Sequence, residues 1–234
     1  MIAIEIQKKL QTLGDPQRAQ VQQKLFKTGP GEYGEGNIFI GLRVPEIRKM
    51  AKEHQALALS EIIRLLQSPI HEARFLALLI LIRVYRNGEA SIREQIYLTY
   101  LQHTRFINNW DLVDASAAHI VGARLMNGSR DRLHELALSN LIWDRRIAVI
   151  ATFHFIKLGE YSDTLDISGL LLKDPEDLIH KAVGWMLREI SKRDRPTEES
   201  FLRATYRIMP RTMLRYAIEK FPEALRLQYL RGEI

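Results

Sequence analysis

An all-α fold is predicted by three features of this sequence: capped helix starts along its length, the lack of strand-like alternation, and a recurring helix-sized spacing between similar segments. A half-buried strand needs alternating apolar and polar residues bounded by turn chemistry, and no such run stands out. Proline supplies the first signal. Asp15-Pro16, Ser68-Pro69 and Asp174-Pro175 each place a capping side chain before a residue whose fixed φ and missing N–H suit the first helical position. Helix-like segments follow each of them: QRAQVQQKLFK, IHEARFLALLILIRVYRNG and EDLIHKAVGWMLREISKRD. Two more starts are read in NNWDLVDASAAHIVGARLMNG, with Asn at the cap and Gly128 near the stop, and in NLIWDRRIAVIATFHFIKLGEY, capped by Asn140 and ended by Gly159.

Spacing supplies the architecture. Arg74 in EARFLA, Asp114 in LVDASA, Arg146 in DRRIAV and Lys181 in IHKAVG occupy corresponding places, at intervals of 40, 32 and 35 residues. Shorter helical segments lie between them: SEIIRLLQS, SIREQIYLTYLQHT, RDRLHELALSN and LDISGLLLKD. Such periods predict antiparallel helical pairs resembling HEAT repeats, stacked into a superhelical solenoid whose second helices line a concave face. A single domain over residues 1–234 is expected, with a Gly-rich loop at 29–37. The column of corresponding residues then makes that face basic, which suits a phosphate backbone, and Asp114 is its exception. Long basic side chains also snorkel from half-buried helical positions with no partner at all, so the column leaves both readings open.

Composition narrows the function classes. With 234 residues, 46% of them hydrophobic, the chain can bury a core without disulfides or a structural metal. Its net charge of +6, from 34 Lys plus Arg against 28 Asp plus Glu, favours a polyanionic partner. The lack of cysteine excludes a thiolate nucleophile and cysteine-ligated metal centres, and fits a reducing compartment. MIAIEIQKKLQTLG carries Glu5 inside its apolar part and does not read as a signal peptide. The longest apolar run, FLALLILI, falls far short of the roughly 20 residues that span a bilayer. A soluble cytoplasmic protein with no membrane association is expected.

Two motif families are set aside. GPGEYGEG carries Gly29, Gly31 and Gly34 at dinucleotide-fingerprint spacing, but that fingerprint needs a strand before the glycines and a helix directly after. Here a helix precedes, Pro30 intrudes and NIFIGL follows. The segment reads as a mobile loop, or as one whose backbone N–H groups approach nucleic acid. The seven histidines, at 54, 71, 103, 119, 134, 154 and 180, form no H-E-x-x-H and no helical pair with a carboxylate as third ligand. Structural or exposed roles are expected for them, with no metal and no organic cofactor.

The residues that point to chemistry lie in FINNWDLVDAS and KAVGWMLRE. Four residues of helix bring side chains back to one face, so Trp110 shares a face with Asp114, and Lys181 with Trp185. If both helices line the concave surface, two indoles and one carboxylate converge among cations. Core filling by each Trp fits the same spacing. So does a salt bridge from Asp114 to Arg145 or Arg146 of the next repeat.

NNWDLVD, WDRRIAV and KAVGWMLREISK resemble the matching segments of the AlkD-type alkylpurine DNA glycosylases, bacterial repair enzymes built from HEAT-like repeats. The similarity runs from about GLRVPEIRK to MLREISK, and residues beyond 194 match little. TGPGEYGEG is longer than its counterpart in the family. By position the resemblance implies that Trp110, Asp114 and Trp185 are active-site residues and that Arg146 contacts DNA, with Arg74 and Lys181 as inferred helpers. It implies a monofunctional enzyme, expected as a monomer, that hydrolyses the N-glycosidic bond of N3- or N7-alkylated purines in double-stranded DNA. Asp114 would stabilise an oxocarbenium-like transition state and orient water, without a cofactor. Two other functions fit the same expected solenoid: a DNA-binding protein without catalysis, and a scaffold for other proteins.

Overall fold

A computed structural model describes residues 2–234. Its described residues are helical with no named strand, as the capped starts predict. The chain divides into two compact units, Met1–Ser116 and Ala117–Ile234.

The first unit holds α1 Ala3–Thr12, α2 Pro16–Leu25, α3 Val44–Glu53, α4 Leu59–Leu66, α5 His71–Asn87, α6 Ala90–Gln102 and the start of α7, Trp110–Ala117. Asp15 caps α2 as expected, accepting from the Arg18 N–H at 3.0 Å. Around α5 gather α3, α4 and α6. Every residue from His71 to Leu78 is buried, polar ones included. Polar groups so placed need partners inside the protein, which makes His71, Glu72 and Arg74 informative. The start of α5 lies beyond the Ser68-Pro69 signal. Ile70 stays extended to pair with Ile38 in an isolated parallel bridge, and Ser68 Oγ accepts from the Ile70 N–H at 3.2 Å instead of capping the helix.

The second unit holds a π-helical turn at Ala118–Gly122, then α8 Ala123–Leu125, α9 Asp131–Ala137, α10 Ile142–Ala151, α11 Phe153–Ile156 and α12 Ser162–Leu170. It continues with α13 Asp177–Ser191, α14 Arg195–Thr205, α15 Arg211–Ala217 and α16 Glu223–Arg231. Here α13 is central, packed against α10, α12, α14 and α15. Two segments expected as single helices are interrupted. The first widens into the π turn, where Gly122 meets the α10–α11 junction so closely that a Cβ would lie 2.2 Å from the Ala151 carbonyl oxygen. At that junction the buried Thr152 hydroxyl donates to the Val149 carbonyl at 2.7 Å, a local bond that competes with helix continuation. As at Ser68, Asp174 bonds ahead of its helix instead of capping it: it accepts from the Glu176 N–H at 2.9 Å, and α13 starts at Asp177. No helix among the described residues is long and apolar enough to cross a membrane.

Candidate functional site

The register read from the sequence recurs in the helices. Asp114, Arg146 and Lys181 each lie four residues after the start of α7, α10 and α13, and Arg74 lies three after the start of α5. Their surroundings differ sharply.

In the first unit, Trp110 opens α7 directly after Asn109, whose side-chain oxygen accepts from the Trp110 N–H at 2.8 Å. Trp110 is part-exposed, as is Asp114 one turn later. The indole stacks on Phe26, with ring centres 5.1 Å apart and planes within 14°. Phe26 stacks on Phe39 at 4.8 Å, and Phe39 on His71 at 4.2 Å. His71 Nε2 then meets the carboxylate of Asp111, the residue after Trp110, at 2.8 Å. None of these four partners was a candidate from the sequence. They come from separate segments with no common spacing, so no motif could gather them.

The Gly-rich segment is built into the fold rather than loose. The Gly29 and Gly31 N–H groups donate to the carboxylates of Glu32 and Glu35, both at 2.9 Å, so the loop satisfies these two donors itself. That removes the expectation that these N–H groups are open to nucleic acid. Further along, the buried Glu72 carboxylate accepts from three successive N–H groups, those of Ile40, Gly41 and Leu42, at 2.8–3.3 Å. Gly41 has φ +85°, and a Cβ there would lie 2.1 Å from the Asp15 carbonyl oxygen. The turn that makes this cradle therefore requires glycine.

Arg74 also serves the loop. It is 4% exposed, and its guanidinium donates to the carbonyls of Ser68 (2.8 Å) and Pro69 (3.3 Å) and to the Asn37 side-chain oxygen. Burial pushes it down to about 10, while Asp111 and Glu72 act to keep it charged. At this burial the Nη donors of Arg74, expected from the sequence to help grip phosphate, go to the protein's own oxygens, while its Nε has no partner among the described residues.

In the second unit, Arg146 is 5% exposed and donates through Nη1 to the Leu178 carbonyl in the first turn of α13. Its neighbour Arg145 binds Asp174 at 2.6 Å. Lys181 is the accessible cation of the column, with 40% side-chain exposure and Nζ 2.7 Å from Asp177 one turn earlier. That bond holds the Asp177 carboxyl below the usual range. Trp185 lies one turn beyond Lys181, half-buried, 6.1 Å from the Phe153 ring. Its indole N–H donates to Glu189 at 3.3 Å. Burial acts to raise the Glu189 carboxyl, but hydrogen bonds from Lys192, Arg193 and Trp185 outweigh it and hold the group below its usual range.

The chain is thus an all-α protein with part-exposed aromatic and charged side chains at corresponding helix positions. More particularly, the chain belongs to the family described as DNA alkylation repair enzymes, whose model matches residues 6–221. Its fold is similar to that of a protein named a predicted DNA alkylation repair enzyme from Enterococcus faecalis. The two are 17% identical with a TM-score of 0.67, over 90% of this chain and 97% of that one. No curated protein matches the chain.

Proposed function

We propose that this chain is a monofunctional DNA N-glycosylase, acting as one functional domain, that releases N3- or N7-alkylated purines from duplex DNA. The observation that carries the proposal is on α7: a part-exposed indole backed by Phe26, with a carboxylate one turn later. An alkylated purine already bears positive charge, so it departs with the bonding electrons and needs little acid assistance. What remains on the sugar resembles an oxocarbenium ion, and the Asp114 carboxylate is the anion that lowers its energy and orients the water that attacks C1′. The indoles of Trp110 and Trp185 offer π faces to the cationic nucleotide. Lys181 and Arg146 are assigned to phosphates, Lys181 being the more accessible.

The test is release of free methylated purine from duplex DNA treated with a methylating agent, by the wild-type chain and by Asp114→Asn. Release by wild type and its loss in the variant, with DNA affinity equal or higher, is the expected outcome. Binding of DNA without release by either protein would assign the chain to the non-catalytic reading.

A further inference from the structure

We infer that His71 and Asp111 are positioning residues for Trp110, holding the plane of its indole through a closed ring of contacts; this rests on the glycosylase reading of Trp110. The ring runs from Trp110 to Phe26, Phe39 and His71, then through the His71–Asp111 hydrogen bond back to Trp110 along the chain. His71 also faces Phe26 directly, at 5.4 Å, so the ladder is braced across a rung. The members come from the end of α2, the segment before α3, the first residue of α5 and the first turn of α7.

Stacked rings resist separation but slide and tilt easily, because dispersion is weakly directional. A hydrogen bond at the end of the stack removes that freedom. The 2.8 Å bond between His71 Nε2 and the Asp111 carboxylate fixes the orientation of the imidazole. The His71 backbone N–H donates to the Ile38 carbonyl at 2.8 Å, which fixes the base of the side chain as well. At 3% exposure the imidazole cannot touch DNA, so any effect on the reaction must pass through its neighbours. Preset planes leave the indole nothing to order when the nucleotide arrives. Asp111 additionally helps keep Arg74 charged, which makes His71 the cleaner probe.

The experiment measures single-turnover release of methylated purine, together with DNA affinity, for wild type, His71→Ala, Trp110→Ala and the double variant. His71→Ala should slow release about tenfold or more with affinity within about twofold, as misplacement of a positioned group does. Because His71 acts through Trp110, the double variant should release no more slowly than Trp110→Ala alone. Additive losses, or wild-type release by His71→Ala, would overturn the inference. Should His71→Ala fail to fold, Asp111→Ala, at the part-exposed end of the ring, must reproduce the same non-additivity. A second readout needs no activity: fluorescence anisotropy decay with Trp110 as the one tryptophan, after Trp143→Phe and Trp185→Phe. The indole should be immobile in that parent and gain fast local motion with His71→Ala; unchanged decay would sink the idea. If wild type releases no purine, the glycosylase reading falls while the anisotropy still decides whether the pair holds the indole.

Discussion

Each unit carries a half-buried tryptophan with an acid four residues later, and the two acids are used differently. In the second unit Glu189 accepts from the Trp185 indole and pairs with Lys192 and Arg193, so its charge is consumed in bracing the end of α13. In the first unit the indole is held by aromatic stacking, and the acid that anchors the stack is Asp111, not Asp114. The same four-residue spacing therefore marks a brace in one place and a candidate reacting group in the other. Spacing alone does not separate the two.

Neutralising each acid in turn separates their roles. Asp114→Asn should reduce purine release by about a thousandfold, on the scale of losing one preorganised electrostatic group at a reacting centre. Glu189→Gln keeps an acceptor for Trp185 and should change release only a few-fold. Equal losses in the two variants, measured under single turnover, would erase the distinction.

The next contrast sets a buried cation against a buried acid. Arg74→Met removes the hydrogen bonds to Ser68, Pro69 and Asn37 and a positive charge that Glu72 and Asp111 both feel, which should cost about 3 kcal/mol by denaturant unfolding. Glu198 in the second unit is 0% exposed, and burial pushes its carboxyl up to about 8, with Glu199 adding and Ser191 and Arg195 opposing. The folded state then holds a proton that the unfolded chain releases near 4.5. Between those values the native state binds more protons, so stability is fully present below 4.5 and falls as pH rises toward 8. Glu198→Gln should flatten that slope and be the more stable protein at pH 8 and above, by about 2 kcal/mol. A wild-type slope in the variant would place the pH dependence elsewhere.

The two cations of the second unit differ in exposure, and their variants should differ in stability. Lys181→Ala should lower the salt dependence of DNA binding by about one phosphate contact while leaving thermal stability nearly unchanged. Arg146→Ala removes a bond to the Leu178 carbonyl from a buried position, so a loss of stability should accompany any change in binding. Stability losses of the same size in both variants would make Lys181 structural too.

The helical class was legible because caps and proline geometry are local. Asp15 and the turn at Gly159 fall where those rules put them. The starts of α5 and α13 were misplaced by two residues or so because Ile70 and Glu176 remain extended, and in Ile70 that extension answers a distant partner, Ile38. The position of Arg74 near the start of its helix was readable, but not its surroundings, since a helix buried on every side shows no polar stripe to warn that its cations face inward. Stacking of residues 26, 39, 71 and 110 is a product of folding alone. For the glycine segment a clue was present in GPGEYGEG itself: Glu32 and Glu35 are the acceptors that its own N–H groups needed.

The cradle around Glu72 bears on how this protein meets phosphate. Three consecutive main-chain N–H groups around a left-handed glycine are the arrangement with which many proteins hold an anion from solution. In this chain the seat is taken by a covalently attached tenant, so an incoming phosphodiester would have to evict a carboxylate that folding has already installed. Under the proposed function, this one stretch of main chain is closed to the DNA backbone.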